Sequence, residues 1–281
     1  MKKLKRNFSV GLLLVAAALL LPSARADKAE AYKYTKDGIE AAKSKEWDKA
    51  IDLFQKAVKA DSTAANYSNL GLAYKGANKL DDAIKAFSGA IAAEPDNFAA
   101  YLNRGIIYTS QQKYEKAIED LDHAVKLKSD NVLAHRFRAF AYLQHKDYAK
   151  AVKDYDVVLK DKENDTEILD RRAFALWNLK EYDKAIADFS KIIKEKPNNK
   201  EAYLDRSYVY ELNHNYAKGI SDCNKVLSLD PKNEDATNRK ARLEYQQKEA
   251  KATPTPTARP RRTLPPEPEV TPRKMRRPGG G

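Results

Sequence analysis

Four arginines and four aspartates recur at fixed intervals in this 281-residue chain. Arg104, Arg138, Arg172 and Arg206 lie 34 residues apart, and Asp120, Asp154, Asp188 and Asp222 each follow one of them by 16. A guanidinium offers parallel N–H donors that match the two oxygens of a carboxylate. An arginine already matched in that way is poorly placed for an outside anion, so the pattern reads as structural ion pairs rather than an anion-binding row. Partly exposed pairs of this kind contribute ~0–1 kcal/mol each. The other reactive residue types form no constellation. His123, His135, His145 and His214 lack ligand spacing, and the single Cys223 cannot form an intramolecular disulfide. There is no phosphate loop, nucleophile elbow or HExxH. No catalytic residue, metal site or cofactor is expected; an enzyme would need a site of unrecognised kind.

The elements that must position these pairs follow from an internal repeat. Tyr114-Glu115-Lys116-Ala117-Ile118 returns as Tyr148-Ala149-Lys150-Ala151-Val152, as Tyr182-Asp183-Lys184-Ala185-Ile186 and as Tyr216-Ala217-Lys218-Gly219-Ile220. Trp47-Asp48-Lys49-Ala50-Ile51 and Leu80-Asp81-Asp82-Ala83-Ile84 fit the same frame. This defines six repeats, 31–63, 64–97, 98–131, 132–165, 166–199 and 200–233. Each reads as two amphipathic helices, with Tyr101, Ile107 and Tyr108 on one face and Ala117, Leu121 and Ala124 on the next. The helices turn near position fifteen. Repeats end in turns such as Glu94-Pro95-Asp96-Asn97 and Asp230-Pro231-Lys232-Asn233, where proline stops one helix and Asn caps another. Positions seven and twenty-three lie equally far on either side of the turn, which puts each Arg level with its Asp. In repeats one and two those positions hold Asp37, Leu70, Leu53 and Ala86, so Arg and Asp enter together in repeats three to six.

The chain resembles the tetratricopeptide repeat family over 31–233. Repeat two carries the family's residues at Tyr67, Gly71, Tyr74, Ala83, Phe87, Ala90 and Pro95, and repeat three at Tyr101, Gly105, Tyr108, Ala117, Leu121 and Ala124, with Ser129 in place of proline. Repeat five matches at Ala173, Ala185, Phe189 and Pro197. Repeat six departs at Gly219 and Cys223, which suggests a looser second helix. The resemblance implies an all-α fold, a right-handed α-solenoid of six helix pairs. Residues 234–251 read as a C-terminal capping helix with a polar outer face.

The family lines a concave groove with the second, fifth, sixth, ninth, twelfth and thirteenth positions of the first helices. Carried over, the ninth positions are Ile39, Leu72, Ile106, Phe140, Phe174 and Tyr208, and the sixth are Lys36, Asn69, Asn103, Phe137, Arg171 and Asp205. Arg136 and Asp170 stand at the fifth, and Lys75, Leu143 and Trp177 at the twelfth. The resemblance therefore implies a protein or peptide ligand between Arg136 and Tyr208, since aromatics and Arg dominate binding hot spots. Packing against neighbouring repeats is the alternative reading of these aromatics. Repeats one and two put small or polar residues at most of these positions. The carboxylate clamp of the chaperone-binding members is absent, with Thr35 and Ile39 at its first-repeat positions.

The net charge of +12 resembles a nucleic-acid footprint, but it sits in the two ends. Residues 1–26 carry +5 and residues 252–281 another +5, leaving 27–251 near neutral at +2. The start reads as a secretory signal: basic Lys2, Lys3, Lys5 and Arg6, an apolar run from Val10 to Leu21, then Ala24-Arg25-Ala26. Cleavage is expected after Ala26, and the run is short for a membrane span of about 20 residues. Its bacterial style places the mature chain, without a transmembrane segment, in the periplasm or outside the cell. Residues 252–281 are rich in Pro and Arg and cannot build a core. They read as a disordered tail, solubilising or in contact with an anionic surface such as envelope polymer, lipid headgroups or nucleic acid. The expected role is a non-enzymatic scaffold or adaptor, with tail-borne binding of polymer or nucleic acid as the alternative.

Overall fold

The computed structural model describes the backbone of residues 8–252 and side chains from residue 26. The segments 1–7 and 253–281 lie outside the described residues, and with them the basic start of the leader and nearly all of the basic tail. Among the described residues there are thirteen helices and no strand. They fall into two compact units, one ending at Ser129 and the other beginning at Asp130.

The first unit holds three hairpins: α1 (Phe8–Lys43) with α2 (Trp47–Ala60), α3 (Ala64–Gly76) with α4 (Leu80–Ala93), and α5 (Phe98–Ser110) with α6 (Tyr114–Leu127). The second holds α7 (Val132–Gln144) with α8 (Tyr148–Asp161), α9 (Thr166–Asn178) with α10 (Tyr182–Glu195), α11 (Lys200–Leu212) with α12 (Tyr216–Leu229), and the closing α13 (Glu234–Lys251). Helix α1 continues upstream through Ala26 without a break. Among the described residues no helix is long and apolar enough to cross a membrane.

Local chemistry sets the bounds of these helices. The first helices after α1, and α13, are capped by Thr63, Asn97, Asn131, Asp165, Asn199 and Asn233, whose side chains accept from amides of the first turn. Two residues past the end of each first helix, at position fifteen, stands a residue of positive φ: Lys45, Asn78, Gln112, Lys146, Lys180 and His214. The next amide reaches back across that residue, as in Glu46 N to Ala41 O at 2.9 Å and Glu181 N to Leu176 O at 2.9 Å. These are Schellman closures made without glycine.

Each hairpin closes on a small residue of its first helix. A Cβ added at Gly71 would lie 2.8 Å from the Phe87 ring, so only glycine permits that approach. In the second unit the corresponding Ala139 and Ala173 are buried, as are Tyr155 and Phe189 sixteen residues on. Helix α12 is a regular 14-residue helix, not the looser one that Gly219 and Cys223 suggested. Its glycine makes room for Leu243 of α13, which a Cβ would meet at 3.0 Å. Leu243 and Ala236 are the buried residues of α13. The rest of that helix is mostly polar, a composition that suits the end of a stack.

Candidate functional site

The arginine at position seven meets its aspartate in all four repeats that carry the pair. Arg104 Nε and Nη2 donate to Asp120 Oδ2 and Oδ1 at 2.8 and 2.7 Å. Arg138 holds Asp154 at 2.7 and 2.7 Å, Arg172 holds Asp188 at 2.8 and 2.7 Å, and Arg206 holds Asp222 at 2.9 and 2.7 Å. All four aspartates are buried. Burial pushes the Asp120 and Asp222 carboxyls above their ordinary values, and the guanidiniums offset this only in part. The bond to Asp120 in turn holds Arg104 above its usual range. Ionic pairing and desolvation thus oppose each other here.

The third guanidinium nitrogen has a further partner that the 34-residue spacing did not suggest. Arg104 Nη1 donates to Ser88 at 2.8 Å, Arg172 Nη1 to Asp156 at 2.6 Å and Arg206 Nη1 to Ser190 at 2.8 Å. Each acceptor lies in the preceding repeat, 16 residues before its arginine. One side chain therefore ties its own hairpin and clips it to the one before. His135 adds to the second unit's network with Nδ1 2.7 Å from Asp154 Oδ1, both side chains buried. Cys223 is buried 3.1 Å from the Ser207 hydroxyl, and burial pushes its thiol up. That is the environment of an unreactive core cysteine.

The residues expected to line the ligand face of the second unit separate into two groups. Phe137, Phe140 and Arg171 are packed away, at 3%, 2% and 2% exposure. The expectation that these three face a ligand is corrected by packing between neighbouring first helices. The Arg171 guanidinium lies 4.8 Å above the Phe140 ring, so the sixth position of one helix covers the ninth of the helix before it. Glu167 holds Arg171 at 2.6 Å and Arg136 at 2.8 Å, and Asp165 lies 3.6 Å from Arg136. Arg136 is therefore half-buried and paired.

The second group forms a partly exposed aromatic row. Phe174 meets Tyr148 edge-on at 6.3 Å and Trp177 at 5.3 Å, and Trp177 lies 4.7 Å from Tyr208. Arg239 of α13 covers Tyr208 at 4.9 Å. Asp170 and Asp205 are partly exposed on the same helices, α9 and α11. Glu211 closes the row by taking Arg242 at 2.7 Å and Arg239 at 3.5 Å. Arg239, Arg242 and Glu211 do not stand out as site residues in the sequence, because the polar composition of α13 reads as a cover. The available signal was a spacing of 31, which links Phe140 to Arg171, Tyr208 to Arg239, Arg136 to Glu167 and Glu211 to Arg242.

Antiparallel hairpins recurring at 33 or 34 residues, each closed on a small residue, define a helical-repeat protein. Tetratricopeptide repeat models match residues 68–132, 110–166, 166–199 and 200–233. The chain belongs to the tetratricopeptide repeat family. No curated protein sequence matches it. Among solved structures it is similar to YrrB, a tetratricopeptide repeat protein with an unusual peptide-binding site. The identity is 20% and the TM-score 0.62, over 67% of this chain and 97% of that one. A tetratricopeptide repeat protein from Parabacteroides merdae is 20% identical, with a TM-score of 0.55 over 78% of this chain and 88% of that one. MamA is 20% identical, with a TM-score of 0.55 over 69% of this chain and 98% of that one. At these identities the likeness is one of fold.

Proposed function

We propose that the chain is a non-enzymatic scaffold that binds a protein or peptide on the first-helix face of its second unit. The observation that carries this reading is the row Phe174, Trp177 and Tyr208. These rings contact one another across α9 and α11 and stay partly exposed. The hairpin cores beneath them are already filled by buried Ala173, Phe189, Ser207 and Cys223. Phe137, Phe140, Arg136 and Arg171 brace this wall, while Asp170 and Asp205 give it polar edges. The peptide-binding site of the similar YrrB is in keeping with such a use.

The test is affinity capture by the intact chain and its Trp177→Ala/Tyr208→Ala variant, with melting temperatures measured alongside. Losing a buried anchor typically costs 2 kcal/mol or more, roughly thirty-fold in affinity. The variant should stay folded and lose its partner. Unchanged capture by a folded variant would sink the reading, and unfolding would assign the row to the core. A chain ending at residue 252 separates this reading from binding of polymer or nucleic acid through the basic tail, since only tail-borne binding is lost with it.

A further inference from the structure

The first unit presents a different surface on its corresponding helices. The lining positions of repeats one to three hold no Asp or Glu, whereas those of repeats five and six include Glu167, Asp170, Glu201, Asp205 and Glu211. The ninth positions also differ. Where Arg171 covers Phe140 in the second unit, Ile39 and Leu72 stand 38% and 46% exposed, with Tyr32 of α1 at 75%. Most lining positions of repeats one and two are small or polar, and Tyr32, Ile39 and Leu72 are the large apolar exceptions among them. Tyr32, Lys36 and Ile39 follow at helical spacing along α1, as do Asn69, Leu72 and Lys75 along α3.

Lys36 and Lys75 carry this strip's charge, and Lys75 is the one that the fold desolvates. Its ammonium is partly buried and bonds the Asn103 side-chain oxygen of α5 at 3.2 Å. No carboxylate pairs with it among the described residues, and burial alone pushes it below the usual lysine range. A desolvated cation held by one neutral oxygen lacks a counter-charge.

We propose that the first-helix face of the first unit docks an acidic amphipathic peptide, its apolar side chains on Ile39 and Leu72 and a carboxylate on Lys75. Charge complementarity selects this occupant. The chain's own tail carries +5 and would set cation against cation. A second copy of the strip would do the same, since the strip has no acid of its own. The proposal shares with the preceding section only the reading that the chain binds proteins, and it uses other residues.

The experiment is fluorescence anisotropy with the full chain. The probe is a labelled decapeptide alternating Leu or Phe with Glu or Asp, and the control is its counterpart with Lys at every acidic position. The acidic probe should bind and the basic one should not. Lys75→Glu and Leu72→Asp should each weaken binding at least tenfold with the helical circular dichroism retained, and Lys75→Met should lose most of the salt dependence. Lys194→Glu, an exposed charge reversal on α10, should leave the affinity unchanged, which separates this site from the general charge of the chain. Binding unaffected by both Lys75→Glu and Leu72→Asp would overturn the proposal and assign the charge to the tail. Equal binding of the basic probe would overturn it too. So would stronger, variant-sensitive binding to phosphatidylglycerol vesicles, which would make the strip a lipid surface.

Discussion

Arginine 104 and aspartate 120 show at residue scale how a paired charge stabilises a hairpin only while both partners are present. Arg104→Met leaves a buried carboxylate without its guanidinium, and loss of one partner of a buried pair costs about 3 kcal/mol. The pH dependence has a definite sign. Asp120 is already held above its ordinary value by burial, and removing Arg104 takes away the group that lowers it. A carboxyl whose folded pKa exceeds its unfolded value of about 3.9 contributes stability below that pH and loses it as pH rises through the folded value. The deficit of Arg104→Met should therefore be small near pH 4 and grow toward neutrality, read from urea midpoints across that range. Arg104→Met/Asp120→Leu should recover most of it. A deficit independent of pH would show that the lost contacts to Ser88 and the Tyr101 ring matter more than the pair. The pairing was legible in the sequence because Arg and Asp enter the same repeats together. The clip to Ser88, Asp156 and Ser190 was not, because a hydroxyl and a carboxylate share only an acceptor oxygen and show no common residue type.

At the scale of the element, the turn at position fifteen carries a correctable strain. Lys180 sits at φ 63, in the left-handed region. A side chain there costs roughly 1–2 kcal/mol, against roughly 0.5–1 kcal/mol of extra entropy lost by glycine. Lys180→Gly should raise stability by about 0.5–1 kcal/mol, a shift of a few degrees in melting temperature for a chain of this size. The same change one residue earlier, at Leu179 with φ −79, should lower it. A fall in melting temperature for Lys180→Gly would show that the lysine side chain contributes something the turn geometry does not reveal. Helix lengths and turn positions could be read from the 34-residue frame, since caps and small residues are local signals. The ligand-facing side could not. Helical periodicity gives the direction of Phe140, but whether it is covered depends on Arg171, 31 residues away on another helix.

For the whole molecule, the sequence spacing runs through residues 129 and 130 without a change, so nothing in it marks the boundary between the two units. That boundary is a property of packing. The two proposed binding faces differ in chemistry, an acid-free strip in one unit and a charge-paired aromatic row in the other. Export remains a proposal resting on the leader. The mature protein should begin at Asp27, and the intact mass of material recovered outside the cytoplasm should lack residues 1–26. A species that keeps them would remove the basis for a cleaved leader.

The arginine clip reaches 16 residues forward to its own aspartate and 16 back to the preceding repeat, so its pairing rule refers only to repeat register and not to place in the chain. Duplicating residues 166–199 in tandem would give the second copy's arginine its own aspartate ahead and the first copy's serine, the counterpart of Ser190, behind. Arg206 would find the second copy's serine in turn. The chain can therefore change in length by whole repeats, gained or lost through recombination at the gene level, without orphaning one guanidinium.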